Sequence, residues 1–520
     1  MLSFDDLNND VVLHILYGLP IQDLLTISET CKRLHTVIRD SLRLQFLLSA
    51  YAENYVIRPQ SLTCTIPELE TFLRLHTLRW ARFEGKRKET VALPNPPLAK
   101  PIIGYRKGIY VEADRTHYDI VRLNAHSTGE ASTTARYPLP VAAVETKGIL
   151  VDQDQDLLLL ITRDETFSVR AFCFTVAGFP HPLARGYVDC GIHAPPPPLD
   201  NLWHGLQYYE EAPVPCDVCG DVIGAAPSDG SGTVLHLWNW KTGVQLPQLR
   251  VDKVYTSFNF LSPTTFIASA GYHRPPTIDY YVFGDTIRLE RSLELPRIRD
   301  DRTFAFTTNV SNPIGRRSSL PIEARVHYIR VSIDLSLSGF YNVVIDPAVL
   351  TDPTLPQGPK PISWDWWGPD NTRWFSMDGN MYFGLHGPPC VHGSRIVIQR
   401  VDNNQTAEGP YTYIIADFNI LPSRRHEALT GAASMPQPTN GTGQDIPGIS
   451  SKIITATTPI IHPAFEDGEI ECCLPFREIR IRGPFARKPE WTWLDEERLI
   501  AHRSEAPPNG GSELDVVFMA

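Results

Sequence analysis

Gly148-Ile149-Leu150-Val151-Asp152-Gln153-Asp154-Gln155-Asp156-Leu157-Leu158-Leu159 sets two apolar runs on either side of a short polar turn. Branched and aliphatic runs of this length, interrupted by turn-forming residues, read as two strands of an antiparallel hairpin. The same unit returns in Phe258 to Ala268, in Trp374 to Phe383 and in Trp491 to Ala501, and Thr233 to Gly243 suggests another hairpin. Repeated hairpins with no long helices between them point to a propeller, a large barrel or a sandwich. The propeller is favoured because its blades are such hairpins and its length is open-ended. Clear copies lie about 110 residues apart, against roughly 40 to 50 for a compact blade, so two elaborated blades are expected between marks.

Outward from these hairpins, the composition changes once. Residues 1 to 90 contain two glycines and three prolines, and the remaining 430 contain 32 and 42. The break falls near Gly85. Before it, apolar residues recur every three or four positions; after it they come in short runs with alternation, rich in Val, Ile, Thr, Tyr and Phe and broken by Gly, Pro, Asp and Asn. The expected order is helices first and strands second, an α+β multidomain chain. In the helical part, Ser3 with Asp6 has the outline of a capping box for a helix ending near Tyr17, where Gly18-Leu19-Pro20 breaks it. Asp23 is placed to cap or enter a second helix, whose stripe runs Leu24, Ile27, Cys31, Leu34 and Ile38, with a turn somewhere inside it. A third stretch, Pro67 to Phe83, stripes Leu69, Phe72, Leu73, His76, Trp80 and Phe83 and is expected to prop the domain junction. Ala194 to Pro198, Asp352 to Pro361 and Gln437 to Pro447 read as extended surface loops.

Of the 520 residues, 48 are Lys or Arg and 59 are Asp or Glu, a net charge of −11. The first 90 residues are balanced, so the whole excess lies in the second part, which disfavours nucleic acid or an anionic membrane as partner. No apolar run much exceeds five residues, as in Leu157 to Ile161, whereas a membrane-spanning helix needs about twenty. Met1 to Asp6 lacks the outline of a signal peptide, and nine scattered cysteines fit no closed disulfide framework, so a cytoplasmic or nuclear location is expected.

Leu7, Val11, Val12, Leu13, Ile15, Leu16 and Leu19 cover more than one face of the first helix, more than a module of about 45 residues can bury by itself. Leu7 to Ile38, with Leu19-Pro20-Ile21-Gln22-Asp23-Leu24-Leu25, Ser28, Cys31-Lys32 and Leu34, resembles an F-box, the adaptor-binding module of cullin-RING ubiquitin ligase receptors. The family's usual Leu-Pro opening is Leu7-Asn8 here, and Leu34-His35 stands where a tryptophan is usual. The resemblance implies that Leu7, Val12, Ile15, Leu16, Leu19, Pro20, Leu24, Leu25, Cys31, Lys32 and Leu34 lie at or near a surface for a Skp-type adaptor and, through it, a cullin. Leu237 to Gly243, Trp364 to Trp374 and Leu474 to Ile479 look like segments of the large fungal F-box families. Trp238-Asn239 is similar to the Trp-Asp end of a WD-repeat strand, although the chain contains no Gly-His dipeptide. Residues 1–50 are thus expected to form the F-box, 51–94 a helical linker and 95–520 a propeller-like domain that binds an unknown target protein.

The remaining motifs favour structure over chemistry. Cys216-Asp217-Val218-Cys219 is the one Cys-x-x-Cys pair; Cys190, His193 and His204 are near in sequence, but no second paired motif follows, and buried strand cysteines are expected rather than zinc. Asp152 to Asp156 imitates the start of a calcium loop, yet Leu157 and Arg163 stand where that loop needs Gly and Glu. Asp229-Gly230-Ser231-Gly232 precedes a strand and lacks a phosphate-binding Lys, so it reads as a turn. Arg79, Arg82, Lys86, Arg87 and Lys88 alternate with Glu84 and Glu89 as a solvated helix end. The tryptophans of Trp364 to Trp374 are expected to fill space between sheets. No cofactor or metal is expected. The leading function is a non-catalytic substrate receptor; a propeller hydrolase using channel carboxylates and an F-box scaffold without ligase output are the alternatives.

Overall fold

The computed structural model describes residues 7–53, 55–57, 65–83, 87–93, 102–114, 116–123, 132–139, 145–192, 214–228, 231–271, 275–297, 305–310, 322–324, 328–334, 340–377, 391–400, 412–420, 449–461, 465–466, 468–482, 491–495, 498–503 and 512–519. The chain divides into two compact units, one of Met1–Arg82 with Ser318–Val326 and Asn419–Asp445, the other of Phe83–Arg317, His327–Phe418 and Ile446–Ala520. The Pro-rich runs 194–198 and 437–447 lie outside the described residues, as do Asp378 to Phe383 of the third hairpin mark.

In the first unit, helices α1 (Asn9–Tyr17), α2 (Ile21–Thr30), α3 (Lys32–Asp40) and α4 (Leu42–Ala52) follow one another with almost no loop. The cap of α1 is Asn8, whose side chain accepts from the Asp10 N–H, so the helix begins later than the Ser3 outline suggested. The long stripe from Leu24 to Ile38 is two helices. Cys31 is extended between them (φ −153°, ψ 153°), and its Sγ accepts from the Leu34 N–H at 3.4 Å. A thiol is a weak acceptor, and Ser or Asp here would cap more strongly. The sequence reading did not separate α4, which opens on a Ser41 cap. Helix α5 (Ile66–Arg82) starts at Thr65, whose N–H and hydroxyl both donate to Glu68 at 2.7 and 2.8 Å, one arm of a capping box. Its stripe is buried as its periodicity required: Leu69, Leu73, His76 and Trp80. His76 meets the Tyr55 hydroxyl at 3.1 Å. The strand Tyr55–Ile57 pairs antiparallel with Ile322–Ala324, which the chain supplies from between two propeller strands.

The second unit is a seven-bladed propeller. Among the described residues it holds seven sheets of four or five strands, taken in chain order and, except in the sixth and seventh, built in chain order too. The first holds Ile102–Arg106, Ile109–Ala113, His117–Arg122 and Thr133–Pro138; the second Glu145–Asp152, Leu157–Arg163, Ser168–Thr175 and Tyr187–Ile192. The third holds Cys216–Cys219, Val222–Ala225 and Thr233–Asn239, with Val244–Gln245 and Leu249–Val251 sharing its outer edge. The fourth holds Ser257–Ser262, Thr265–Ala270, Thr277–Phe283 and Ile287–Glu294; the fifth Ala305–Val310, Ile329–Asp334, Phe340–Ile345 and Thr372–Met377. In the sixth, Val391–His392, Arg395–Arg400 and Thr412–Asp417 are followed by Phe476–Arg482, with the earlier segment Ile449–Ile454 outside it. The first strands of successive sheets lie against one another, so they form the inner ring.

The seventh sheet closes that ring. Trp491–Leu494, Arg498–Arg503 and Glu513–Phe518 come from the C-terminal end, and the outermost strand, Arg87–Ala92, comes from the start of the unit. Arg87 and Lys88 therefore begin a strand rather than ending a helix. Thr90 donates to Asp515 at 2.7 Å, and the Leu93 N–H donates to the Ser512 carbonyl at 2.8 Å.

Stacking of blades explains why some strands, Leu157–Arg163 above all, are continuous apolar runs while others, such as Ser168–Thr175, alternate. Every residue of Leu157–Arg163 is buried. Leu157, Leu159 and Ile161 join a cluster with third-blade residues such as Ile223 and Trp238, and Leu158 and Leu160 join one with first-blade residues such as Val111 and Ile120. A strand covered on both faces has no polar side to show. Close approach between blades also fixes residue size: a Cβ on Gly224 would sit 2.3 Å from the Phe258 ring, and one on Gly104 would sit 2.7 Å from Ile149.

Polar staples join the same layers. Lys107 pairs with Asp154 of the second blade at 2.8 Å, which gives the acidic turn an ion-pair role. Tyr105 donates to Asp495 of the seventh blade, and Arg291 donates to the carbonyls of Val349, Asp352 and Leu355. Asp279, fully buried, accepts from Lys253, Tyr255 and Ser292. Among the described residues no helix is long and apolar enough to cross a membrane.

Candidate adaptor-binding surface

The four short helices of the first unit bury Val12, Leu16, Leu24, Val37, Ile38 and Leu44 among themselves. Arg33 ties the entry of α1 to α3 by donating to the Leu7 carbonyl and to Asn9. Tyr17 meets Ser41 at 3.2 Å and stacks under Arg43 at 4.6 Å, which fixes the end of α1 against α4.

This packing divides the eleven sequence-derived residues into three groups. Val12, Leu16 and Leu24 are interior. Leu7, Leu19 and Leu34 are half-buried against that core, while Ile15, Pro20, Leu25, Cys31 and Lys32 face outward. Ile15 is 49 % exposed and Leu25 46 %, large values for branched side chains on short helices. Val11, one turn before Ile15 on α1, is 47 % exposed and Leu42 69 %. Neither is among the eleven residues that the resemblance implied, although Val11 belongs to the apolar excess of the first helix and its i, i+4 spacing to Ile15 places the two on one face. A monomer seldom leaves several large aliphatic side chains of one small module in water, and such a surface marks an interaction site.

Among the described residues, several motifs singled out from the sequence take part in building the propeller. Cys216 and Cys219 occupy the innermost strand of the third blade, and burial pushes the Cys219 thiol up to about 12. At that value the free thiol carries almost no thiolate, the nucleophilic form. His193 and His204 lie outside the described residues. Among the described residues no three His, Cys, Asp or Glu side chains are grouped to hold a metal. Asn239 accepts from the N–H groups of Lys241 and Thr242, so Trp238-Asn239 ends its strand in a side-chain-capped turn. The Trp-rich segment forms helix α6 (Trp364–Asn371), with Trp364, Trp367 and Trp374 buried and Trp366 exposed. Space-filling therefore accounts for three of its four indoles.

Asp217 is a buried propeller carboxyl whose surroundings give it a pH consequence. Burial raises it to about 6, opposed by Arg106 and by hydrogen bonds from the Phe260 and Val218 N–H groups. A carboxyl raised in the folded state contributes fully below its unfolded value, near 3.8, and that contribution is lost as pH rises through about 6. Asp217→Asn removes the titration and keeps one acceptor. The stability difference between variant and wild type is expected to move in the variant's favour by about 2 kcal/mol from pH 4 to pH 7. A constant difference would mean that Asp217 ionises without cost.

The F-box domain family matches residues 4–46. No curated protein matches the chain. Among solved structures it is similar to the WD40 domain of Toxoplasma gondii coronin, at 9 % identity over 84 % of this chain and 87 % of that one, with a TM-score of 0.36. The WD40 domain of fission yeast SCAP is similar at 8 % identity over 79 % and 80 %, with a TM-score of 0.34. The blade count rests on strand pairing alone. The chain is a short helical F-box region followed by an all-β propeller of seven blades.

Proposed function

We propose that this chain is the substrate-recognition subunit of an SCF-type cullin-RING ubiquitin ligase. The observation that carries the reading is the F-box match over residues 4–46, on helices that leave Ile15 and Leu25 in water. The outward side chains Ile15, Pro20, Leu25, Cys31 and Lys32, with the edges of Leu7, Leu19 and Leu34, would meet a Skp-type adaptor. Val12, Leu16 and Leu24 would act behind them by holding the helices in place.

The contribution to ubiquitin transfer is proximity. Tethering a target beside the ligase's catalytic subunits raises its effective concentration, and the receptor supplies no reacting group. The propeller would hold a target protein, which its blade-connecting loops are suited to reach. Its excess negative charge would hasten encounter with basic surfaces and make association fall as salt rises.

The test is reconstitution. The chain, mixed with a Skp-type adaptor and a cullin, is expected to elute as one complex and to draw ubiquitin onto itself or onto a bound protein when the transfer enzymes are added. Adaptor binding without cullin recruitment would favour a scaffold without ligase output. Failure to bind adaptor would remove the proposal.

A further inference from the structure

Helix α6 interrupts the fifth blade between its third and fourth strands. Its inner face is firmly seated. Trp364 and Trp367 pack into the core shared with Ile470 and Cys472, and the Trp367 indole N–H donates to the Glu294 carbonyl at 3.0 Å. Asn371 and Thr372 donate to the Trp367 and Gly368 carbonyls, and the Cys473 N–H donates to the Pro369 carbonyl at 2.8 Å. A Cβ on Gly368 would lie 2.3 Å from the Trp364 ring, so glycine is what lets that ring lie along its own helix.

The outer face is different. Trp366 is 73 % exposed, and Asp370, four residues on, shares its side of the helix. Asp365 is exposed beside it. Among the described residues neither carboxylate has an ion-pair partner and the Trp366 ring has no ring or cation contact. An exposed indole on a seated helix has only two side-chain torsions to order when it is covered, which suits it to be an interface anchor. An open aromatic face with one carboxylate on its own side of the helix and a second close by matches one chemistry, a guanidinium or ammonium that lies on the ring and donates to a carboxylate.

We infer that the outer face of α6 docks an arginine- or lysine-bearing segment of a partner protein, with the cation stacked on Trp366 beside Asp370 and attracted also by Asp365. The inference rests on the reading of the propeller as a target-binding domain and specifies one surface and one partner chemistry for it.

The experiment measures fluorescence anisotropy of a labelled peptide of alternating Arg and Gly with the full chain, and of an alternating Glu and Gly peptide as control. The Arg peptide is expected to bind and the Glu peptide not. Trp366→Ala, which leaves the net charge unchanged, is expected to weaken binding about tenfold or more, and Trp366→Phe to restore part of it. Asp365→Asn with Asp370→Asn is expected to weaken binding and flatten its salt dependence. Equal binding by wild type and Trp366→Ala would overturn the inference and leave only general attraction to an acidic chain; absence of binding by wild type would overturn it too. Adaptor capture by Trp366→Ala, measured in parallel, is expected at the wild-type level, so failure of this surface is separable from failure of the receptor reading.

Discussion

Replacing Ile15 and Leu25 together with Lys is expected to abolish adaptor capture while leaving the helical unit folded. Both side chains are about half exposed in the free chain, so their loss removes little from the core, and exposed substitutions generally change stability by about 0.5 kcal/mol or less. Lys is a good helix former, and its charge suits the last turn of α1. In a complex the same two positions would be covered, and each unpaired ammonium would then cost several kcal/mol of desolvation. At about 1.4 kcal/mol per tenfold, the affinity should fall by more than a hundredfold. The comparison variant is Leu24→Lys, which puts the charge into a site 1 % exposed and should unfold α1 to α4. Copurification with adaptor reads binding, and circular dichroism and melting read the fold. A folded Ile15→Lys/Leu25→Lys protein that still captures adaptor would locate the adaptor surface elsewhere.

Truncation after Gly511, which removes the strand Glu513–Phe518, is expected to destroy the propeller as a cooperative unit. That strand lies between Arg498–Arg503 and the N-terminal Arg87–Ala92, so its loss breaks both ladders and leaves the ring open. Leu514, Val516 and Phe518 are buried with Tyr110, Trp493 and Ile500, and burial of three such side chains is worth about 5 to 9 kcal/mol. A domain is typically stable by about 5 to 15 kcal/mol in all. Val516→Asp is a gentler form of the same test, because an unpaired carboxylate at that site costs several kcal/mol without shortening the chain. Protease sensitivity and loss of a sharp melting transition are the expected readouts. If the truncated protein melted with wild-type sharpness and temperature, closure by the seventh sheet would not be what holds the ring.

The adaptor surface was only partly legible before the fold was known. The resemblance named Val12 and Ile15 alike, and the spacing of apolar residues on α1 offered no way to separate them, since Val11, Val12, Ile15 and Leu16 lie within one broad stripe. What separates them is which neighbouring helix arrives on which side. A repeated signal in the propeller also went unread: Tyr118-Asp119-Ile120, Ile278-Asp279-Tyr280, Tyr341-Asn342-Val343 and Leu514-Asp515-Val516 each put Asp or Asn at the third position of a blade's third strand. Asp279 meets Lys253, Asn342 accepts from Arg330 and Asp515 pairs with Arg503, so this polar position is a clasp inside the blade.

Sequence alone determined what depends on neighbours in the chain. The change in glycine and proline content, the apolar runs broken by polar turns, and the Leu-Pro and Cys-Lys steps within the first forty residues were enough for helices first, a blade-like β domain second and an F-box resemblance at the front. Tertiary structure decided what depends on distant partners. Arg87 and Lys88 are strand residues because Phe518 and Val517 lie opposite them, more than 400 residues away. Ile322–Ala324 joins the helical unit because Tyr55–Ile57 supplies a free edge for it, and Trp366 stays in water because Trp364 and Trp367 fill the space beneath the helix. Local spacing records which residues can share a face, but burial is a property of what packs against that face, and ladder pairing is satisfied by whichever strand the closed ring brings alongside.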